Sequence, residues 1–214
     1  MVKIPLILKL KKESQKNLAR AQDMIVEELF KIFDKAVLHG GTGIWRCYQG
    51  NRFSEDVDVY IPKDLRKLDQ LFDNLQKKGF VIVKKKVSEK SLYSNLKLDT
   101  FFVKFEALFK IIKGELKEYE TVEGNFLTVQ CLGVEDIIKE KINAYSNRLK
   151  VRDLYDIFFL LRYLENKEKI KKELKNFINN FKTPVDEENL KILIIDGLIP
   201  KVGDILNYIQ RETK

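Results

Sequence analysis

Three glycines within four residues, Gly40-Gly41-Thr42-Gly43, lie between two short apolar stretches and limit this chain more than any other feature. The surrounding sequence is HGGTGIWRCYQGNRFSEDVDVY, from His39 to Tyr60. Residues 36–38 read as a short buried strand, residues 57–61 as a second, and the glycines join the first strand to a short helical piece. Glycine lets backbone approach a ligand closely, and free N–H groups at a helix start favour anions. Asp56 and Asp58 are two apart on the second strand, so both carboxylates point to one face. A phosphate cradle beside paired carboxylates is what metal-assisted phosphoryl transfer needs.

Two other glycine-rich designs compete for this stretch. A dinucleotide-binding turn has the pattern G-x-G-x-x-G between strand and helix. Gly41 and Gly43 fit its first two glycines, but the third position is Arg46, Gly50 cuts the helix short, and two acids exceed what ribose recognition uses. A P-loop requires Gly-Lys-Ser or Gly-Lys-Thr after four spacers, which is absent. The plain alternative is a glycine turn followed by two exposed aspartates. Trp45 and Tyr48 read as core rather than as base-stacking residues.

The flanking segments read as an α+β chain. Residues 13–34 carry Leu18, Ala21, Ile25 and Leu29 at helical spacing. Residues 62–78 form a second helix, with Pro62 at its start and Leu65, Leu68, Leu71, Phe72 and Leu75 inward. Residues 80–87 and 94–105 read as antiparallel strands, with Lys84-Lys85-Lys86 as a solvated strand end. Asp99 stands inside the second of these as an acid in an apolar run. It either completes a carboxylate cluster, serves as a base toward an acceptor hydroxyl, or faces water from an edge strand. Residues 108–112 and 126–129 are further strand-like segments.

From residue 130 onward the pattern turns helical, which predicts a catalytic part over residues 1–130 and a helical part over 131–214. Val134, Ile137, Ile138, Ile142 and Tyr145 form a stripe that also contains Lys141. An ammonium on a core face needs a partner or must snorkel. Asp153 shares a stripe with Ile157, Leu160, Leu161 and Leu164, so it too faces inward. Lys141 with Asp153, and Arg152 with Asp156, are candidate structural ion pairs. Residues 165–182, 187–195 and 202–209 read as later helices, the first with Ile170, Leu174, Phe177 and Ile178 inward.

Composition adds bounds. The 214 residues hold 40 Lys and Arg against 32 Asp and Glu, a net charge of +8 with pI near 9.2. Such a balance suits a polyanionic partner, and equally a thermostable lysine- and glutamate-rich surface. Cys47 and Cys131 are too few and too far apart for a disulfide framework or a cysteine metal site, which points to a reducing cytoplasm. A single histidine, His39, excludes a histidine-built metal site. No apolar run has the length of a membrane span, and residues 1–10 lack the small-residue cleavage site of a signal peptide.

The combination Gly40, Gly41, Thr42 followed by Asp56-Val57-Asp58 resembles the nucleotidyltransferase superfamily, with its DNA polymerase beta-like fold. The lead-in Arg52-Phe53-Ser54-Glu55 and the later run Arg148-Leu149-Lys150-Val151-Arg152-Asp153-Leu154-Tyr155-Asp156 are similar to the AbiEii/AbiGii toxin-like branch, whose pattern there is R-x-x-x-R-D-x-x-D. The resemblance spans roughly residues 36–160. It implies a mixed sheet with flanking helices and transfer of NMP from an NTP to an acceptor. Two Mg²⁺ ions, or Mn²⁺, would be held by Asp56, Asp58 and Asp99. It implies nucleotide contacts from Gly40, Gly41, Thr42, Arg46, Ser54 and Lys141, with Lys141 and Asp153 in the catalytic set. The branch further implies a toxin with a cognate antitoxin and an RNA, such as tRNA, as acceptor. A non-catalytic NTP- or RNA-binding module, and nucleotidylation of a protein or small molecule, remain alternatives. For RNA, Lys167, Lys169, Lys171, Lys172 and Lys175 form a row that could follow a phosphate backbone.

Overall fold

A computed structural model describes residues 4–213; Met1–Lys3 at the apolar start and Lys214 lie outside the described residues. The chain divides into two compact units. The first comprises residues 1–49 and 53–132; the second comprises residues 50–52 and 133–214.

The first unit is built on a seven-stranded mixed sheet. After a single-turn helix α1 (Leu6–Lys9) comes the long helix α2 (Glu13–Ile32). The chain continues through β1 (Val37–His39), helix α3 (Gly40–Cys47), β2 (Val57–Ile61) and helix α4 (Leu65–Lys77). Strands β3 (Val81–Val87), β4 (Ser91–Leu98), β5 (Phe101–Phe109), β6 (Glu115–Glu120) and β7 (Phe126–Cys131) complete it. The order across the sheet is β3-β4-β5-β2-β1-β7-β6. β2 runs parallel to β5, β1 parallel to β7, and the other neighbours are antiparallel.

Alternation decides the faces. Val57, Val59 and Ile61 of β2, Val103, Phe105 and Ala107 of β5, and Leu92 and Leu96 of β4 are buried on one side. Helix α2 packs there through Ala21, Ile25, Val26 and Leu29, and α4 through Leu68, Leu71, Phe72 and Leu75. The intervening residues, which include Asp58, Glu106, Lys104 and Tyr93, point to the other side.

Three local readings from the sequence change. The second helix starts at Leu65, not Pro62, because the Asp64 side chain accepts from the Lys67 N–H at 3.1 Å and caps it. Leu65 consequently lies outside the buried stripe and is exposed. The expected strand over residues 94–105 is instead a hairpin: Leu98 pairs with Phe101, and Asp99-Thr100 forms the two-residue turn. Asp99 has φ +52°, which aspartate tolerates better than most residues. Residues 108–112 do not form a strand of their own; Leu108 and Phe109 end β5.

The second unit is helical: α5 (Val134–Arg148), α6 (Val151–Leu160), α7 (Lys171–Asn179), α8 (Leu190–Leu193) and α9 (Val202–Glu212), with short 3₁₀ turns between them. Leu149, in the left-handed conformation at φ 52°, ends α5 and turns the chain directly into α6. The segment expected as one helix over residues 165–182 splits into a 3₁₀ turn at Lys167–Lys169 and α7. Ile170, Leu174 and Phe177 are buried as expected, while Ile178 is half-buried. No described helix is long and apolar enough to cross a membrane.

Candidate active site

In the first unit the site grows from the end of β1. His39 is the register partner of Asp58 on β2, and its ring stacks on Tyr60 with centroids 4.1 Å apart. The next residue, Gly40, opens α3 at φ +66°. A side chain there would collide with the Asp58 carboxylate, so only glycine lets that carboxylate lie against the helix start. The unsatisfied N–H groups of the first turn and the helix dipole favour negative charge at this point. Gly41 and Thr42 follow, both buried, and the Thr42 hydroxyl donates to the carbonyl oxygen of Asp56. Thr42 thereby ties the glycine turn to the backbone that carries the acids. Ser54 is anchored in turn, since its carbonyl accepts from buried Gln22 of α2 at 2.9 Å.

The third carboxylate of this face is Glu106, which the sequence reading did not single out. β2 and β5 are parallel, and Asp58 sits directly beside Glu106 in their register. Burial first, then the charges of Asp58 and Asp56, raise the Glu106 carboxyl above its usual range. Lys104 Nζ stands 3.8 Å from Asp56 and offsets part of that repulsion. A cavity of about 270 Å³, small for a ligand pocket, is lined by His39, Asp58, Tyr93 and Glu106 among others.

Asp99 does not join the cluster. It lies exposed in the β4–β5 turn, beyond Phe101, and Phe101 is five residues along β5 from Glu106, or about 17 Å. The sequence reading put Asp99 near the two aspartates because it joined β4 and β5 into one strand. Alternation along β5 carried the signal: Val103, Phe105 and Ala107 point inward, which leaves Glu106 outward beside Asp58.

Arg46 does not join it either. Its side chain is buried and its guanidinium lies 3.9 Å over the Trp45 ring. It donates to the carbonyls of Glu120 and Ala19, and stands 3.1 Å from Asp23. These bonds commit Arg46 to the interior rather than to a nucleotide. Trp45 and Tyr48 are core residues as read from the sequence.

Among the described residues no three His, Cys, Asp or Glu side chains converge closely enough to cage a metal by themselves. The donor set still suits a hard cation. It is all oxygen and mutually repelling, and a Mg²⁺-type ion takes one or two carboxylates and completes its shell from water and substrate phosphates.

Lys141 and Asp153 belong to the second unit and form a different cluster there. Arg52 donates to both oxygens of Asp156, at 2.8 and 2.9 Å. Lys141 Nζ lies 2.8 Å from Asp156 and 3.7 Å from Asp153. Arg148 grips both oxygens of Asp153 at 2.7 Å. Burial would push the Asp156 carboxyl up, but Arg52 and Lys141 outweigh it and hold it below the usual range. Asp156 thus pairs with Arg52 and Lys141 rather than with Arg152, the partner expected from helical spacing. The sequence could not show Arg52 as a partner, because it lies 104 residues away.

The geometry yields one expectation at once. The folded-state pKa of Glu106 lies above the ordinary 4.5, so the folded form holds its proton more tightly than the unfolded chain. Stability from this group is therefore present at low pH and declines as pH rises through the folded pKa. Glu106→Gln should abolish that decline, melt no lower than the parent without divalent cation, and slow transfer by about 10²-fold. Thermal melts across pH, paired with a turnover assay, check this. A destabilised variant with full turnover would remove Glu106 from the site.

A family profile described as "Nucleotidyl transferase AbiEii toxin, Type IV TA system" matches residues 25–199. No curated protein matches the sequence. Among solved structures, MenT4, a nucleotidyltransferase toxin from Mycobacterium tuberculosis, superposes with a TM-score of 0.66 at 16% identity. That match covers 96% of this chain and 85% of that one. JHP933 from Helicobacter pylori superposes with a TM-score of 0.62 at 19% identity, covering 94% and 91% of the two chains. At such identities the superpositions establish a shared nucleotidyltransferase-type fold. The profile reaches from α2 through the glycine turn and the acids of β2 to the R-x-x-x-R-D-x-x-D run and beyond, and by that match the chain belongs to the AbiEii family of nucleotidyltransferase toxins.

Proposed function

We propose that this chain transfers NMP from an NTP to a hydroxyl of an RNA acceptor, such as tRNA, and does so as the toxin of a toxin–antitoxin pair. The observation that carries the chemistry is the meeting of Asp56, Asp58 and Glu106 with the glycine-led start of α3. The acceptor oxygen would form a bond to the α-phosphorus as the bond to pyrophosphate breaks, and the hydroxyl proton would pass to solvent or a carboxylate. Two Mg²⁺ ions, or Mn²⁺, held by Asp56, Asp58 and Glu106 would neutralise the triphosphate and lower the pKa of the attacking hydroxyl. Gly40 and Gly41 offer backbone N–H groups to the phosphates. Thr42 positions the Asp56 backbone, and Ser54 fixes the approach to β2. The small cavity beside Glu106 has room for one ring-sized group next to the reacting atoms.

Lys141 and Asp153 are assigned to holding the second unit together rather than to the reaction. Support comes from the burial of both and from their ion-pair partners. Family membership supports a cognate antitoxin protein as partner.

The test is transfer of label from each of the four α-labelled NTPs into fractions of a cell extract. Label in RNA, released by alkali, dependent on a divalent cation and absent with Asp58→Asn, is the expected result. Label confined to protein, or equal transfer by the variant, would overturn the reading.

A further inference from the structure

The helix-packed side of the sheet is covered, but the opposite side of β3, β4 and β5 is open, and its residues follow a pattern. In the register, Lys86, Tyr93, Glu106, Asp58 and His39 form one continuous cross-strand row from β3 to β1. The adjacent row runs Lys84, Asn95, Lys104 and ends near Asp56, which Lys104 approaches at 3.8 Å. A third row is Val81, Lys97 and Phe102. Val81 is 58% exposed and Phe102 52% exposed.

This face has lysines without anionic partners and two aromatic rings reachable from solvent. Among the described residues, Lys84, Lys86 and Lys97 make no ion pair. Lys84 instead stands 5.3 Å over the Tyr93 ring, and Lys97 5.9 Å over Phe102. The Asn95 side-chain oxygen between them is buried and has no hydrogen-bond partner within the protein. The acids in its rows are those of the site itself, at one end. By contrast, the lysine row expected to follow RNA in the second unit is largely neutralised. Lys167 pairs with Glu212, Lys169 with Glu135 at 3.0 Å, and Lys171 with Glu168 at 2.8 Å, which leaves Lys172 and Lys175 exposed.

We infer that the open face of β3-β4-β5 is the track of a single-stranded acceptor RNA, whose 3′ end reaches Glu106 and Asp58 along the Lys86–Tyr93 row. Such a track rests on the reading of RNA as the acceptor. The exposed Phe102 ring, the half-buried Tyr93 ring and the ammonium groups of this sheet face suit unstacked bases and their phosphates, whereas a duplex hides its base faces. From β3 to β2 is three strand spacings, about 14 Å, so Lys86 lies within reach of the chain just behind the reacting end. The lysines would hold phosphates, and Tyr93 and Phe102 would stack bases.

The test measures fluorescence anisotropy of a labelled single-stranded RNA of about 12 nucleotides with a free 3′ hydroxyl. It compares the parent with the triple variant Lys84→Gln, Lys86→Gln, Lys97→Gln, with Phe102→Ala, and with Lys172→Gln, Lys175→Gln as the control. All these side chains are exposed or half-exposed, so melting temperature should stay at the parent value. The triple variant should lower the log–log salt slope by roughly 2, at about 0.7 for each phosphate that no longer meets a lysine. Phe102→Ala should weaken binding by about 5-fold or more. The control should match the parent, and a duplex of the same sequence should bind the parent more weakly than the single strand.

Parent-like affinity and slope in the triple variant, or equal binding of duplex, would overturn the track while leaving RNA as acceptor. A parent that binds no RNA and transfers label only to protein would overturn both readings. In that case a loss of protein labelling in the triple variant would assign the face to a protein acceptor.

Discussion

Asp58→Asn should yield a folded protein that has lost nucleotide transfer by at least about 10³-fold. Asparagine keeps the shape that rests against Gly40 but removes the negative charge, so packing is preserved while a metal-binding oxygen is weakened. The fold should not suffer. Asp58 is half-buried beside the like charges of Asp56 and Glu106, so the repulsion relieved by losing one charge offsets the attraction to the helix start that is lost with it. The melting temperature without metal should therefore stay close to that of the parent. Stabilisation by added Mg²⁺ and NTP should shrink, because a ligand raises stability only as far as it binds. Mg²⁺-dependent turnover equal to that of the parent would end the assignment of Asp58 as a metal ligand.

Lys141→Ala is expected to act in the opposite way. It removes one of the two cations that hold Asp156, within a cluster where Asp153 and Asp156 are buried. Breaking a buried pair costs on the order of 3 kcal/mol, because the remaining carboxylate keeps its desolvation penalty. For a chain of this size that corresponds to a drop of roughly 6–12 °C in melting temperature. NTP affinity should be unchanged. The pH dependence has a definite sign as well. Asp156 has a folded-state pKa below the ordinary 3.8, so its contribution is present above that value and is lost as pH falls through the folded pKa. With Lys141 gone the depression is smaller, and acid unfolding should begin at a higher pH than in the parent. Calorimetry at neutral and acid pH, with nucleotide titration of each protein, checks all three. A tenfold weaker NTP affinity with an unchanged melting temperature would instead make Lys141 a phosphate ligand.

Several elements were legible from residues alone. Spacing placed α2, and the glycines placed the β1–α3 turn. The two-residue step from Asp56 to Asp58 placed both acids toward one face. These are short-range matters, decided by backbone freedom and by which side of a strand or helix is apolar. The inward position of Lys141 and Asp153 was legible for the same reason, since each falls on an apolar stripe.

What the sequence could not decide is which distant groups meet. Asp99 and Glu106 are both acids near apolar residues, and only the hairpin turn at Asp99-Thr100 and the parallel register of β2 with β5 bring Glu106, not Asp99, beside Asp58. Arg46 and Arg52 both follow the same glycines. Yet one is committed to the interior against Trp45 and the other to Asp156 in the second unit, because a buried guanidinium goes where carboxylates and carbonyls can satisfy it. The lysines of β3 read as a solvated strand end until cross-strand pairing put Lys86 in one row with Tyr93, Glu106 and Asp58. Local propensity set the faces of the helices and strands it could place; register and long-range pairing, which carry no signature in neighbouring residues, chose the members of the candidate site.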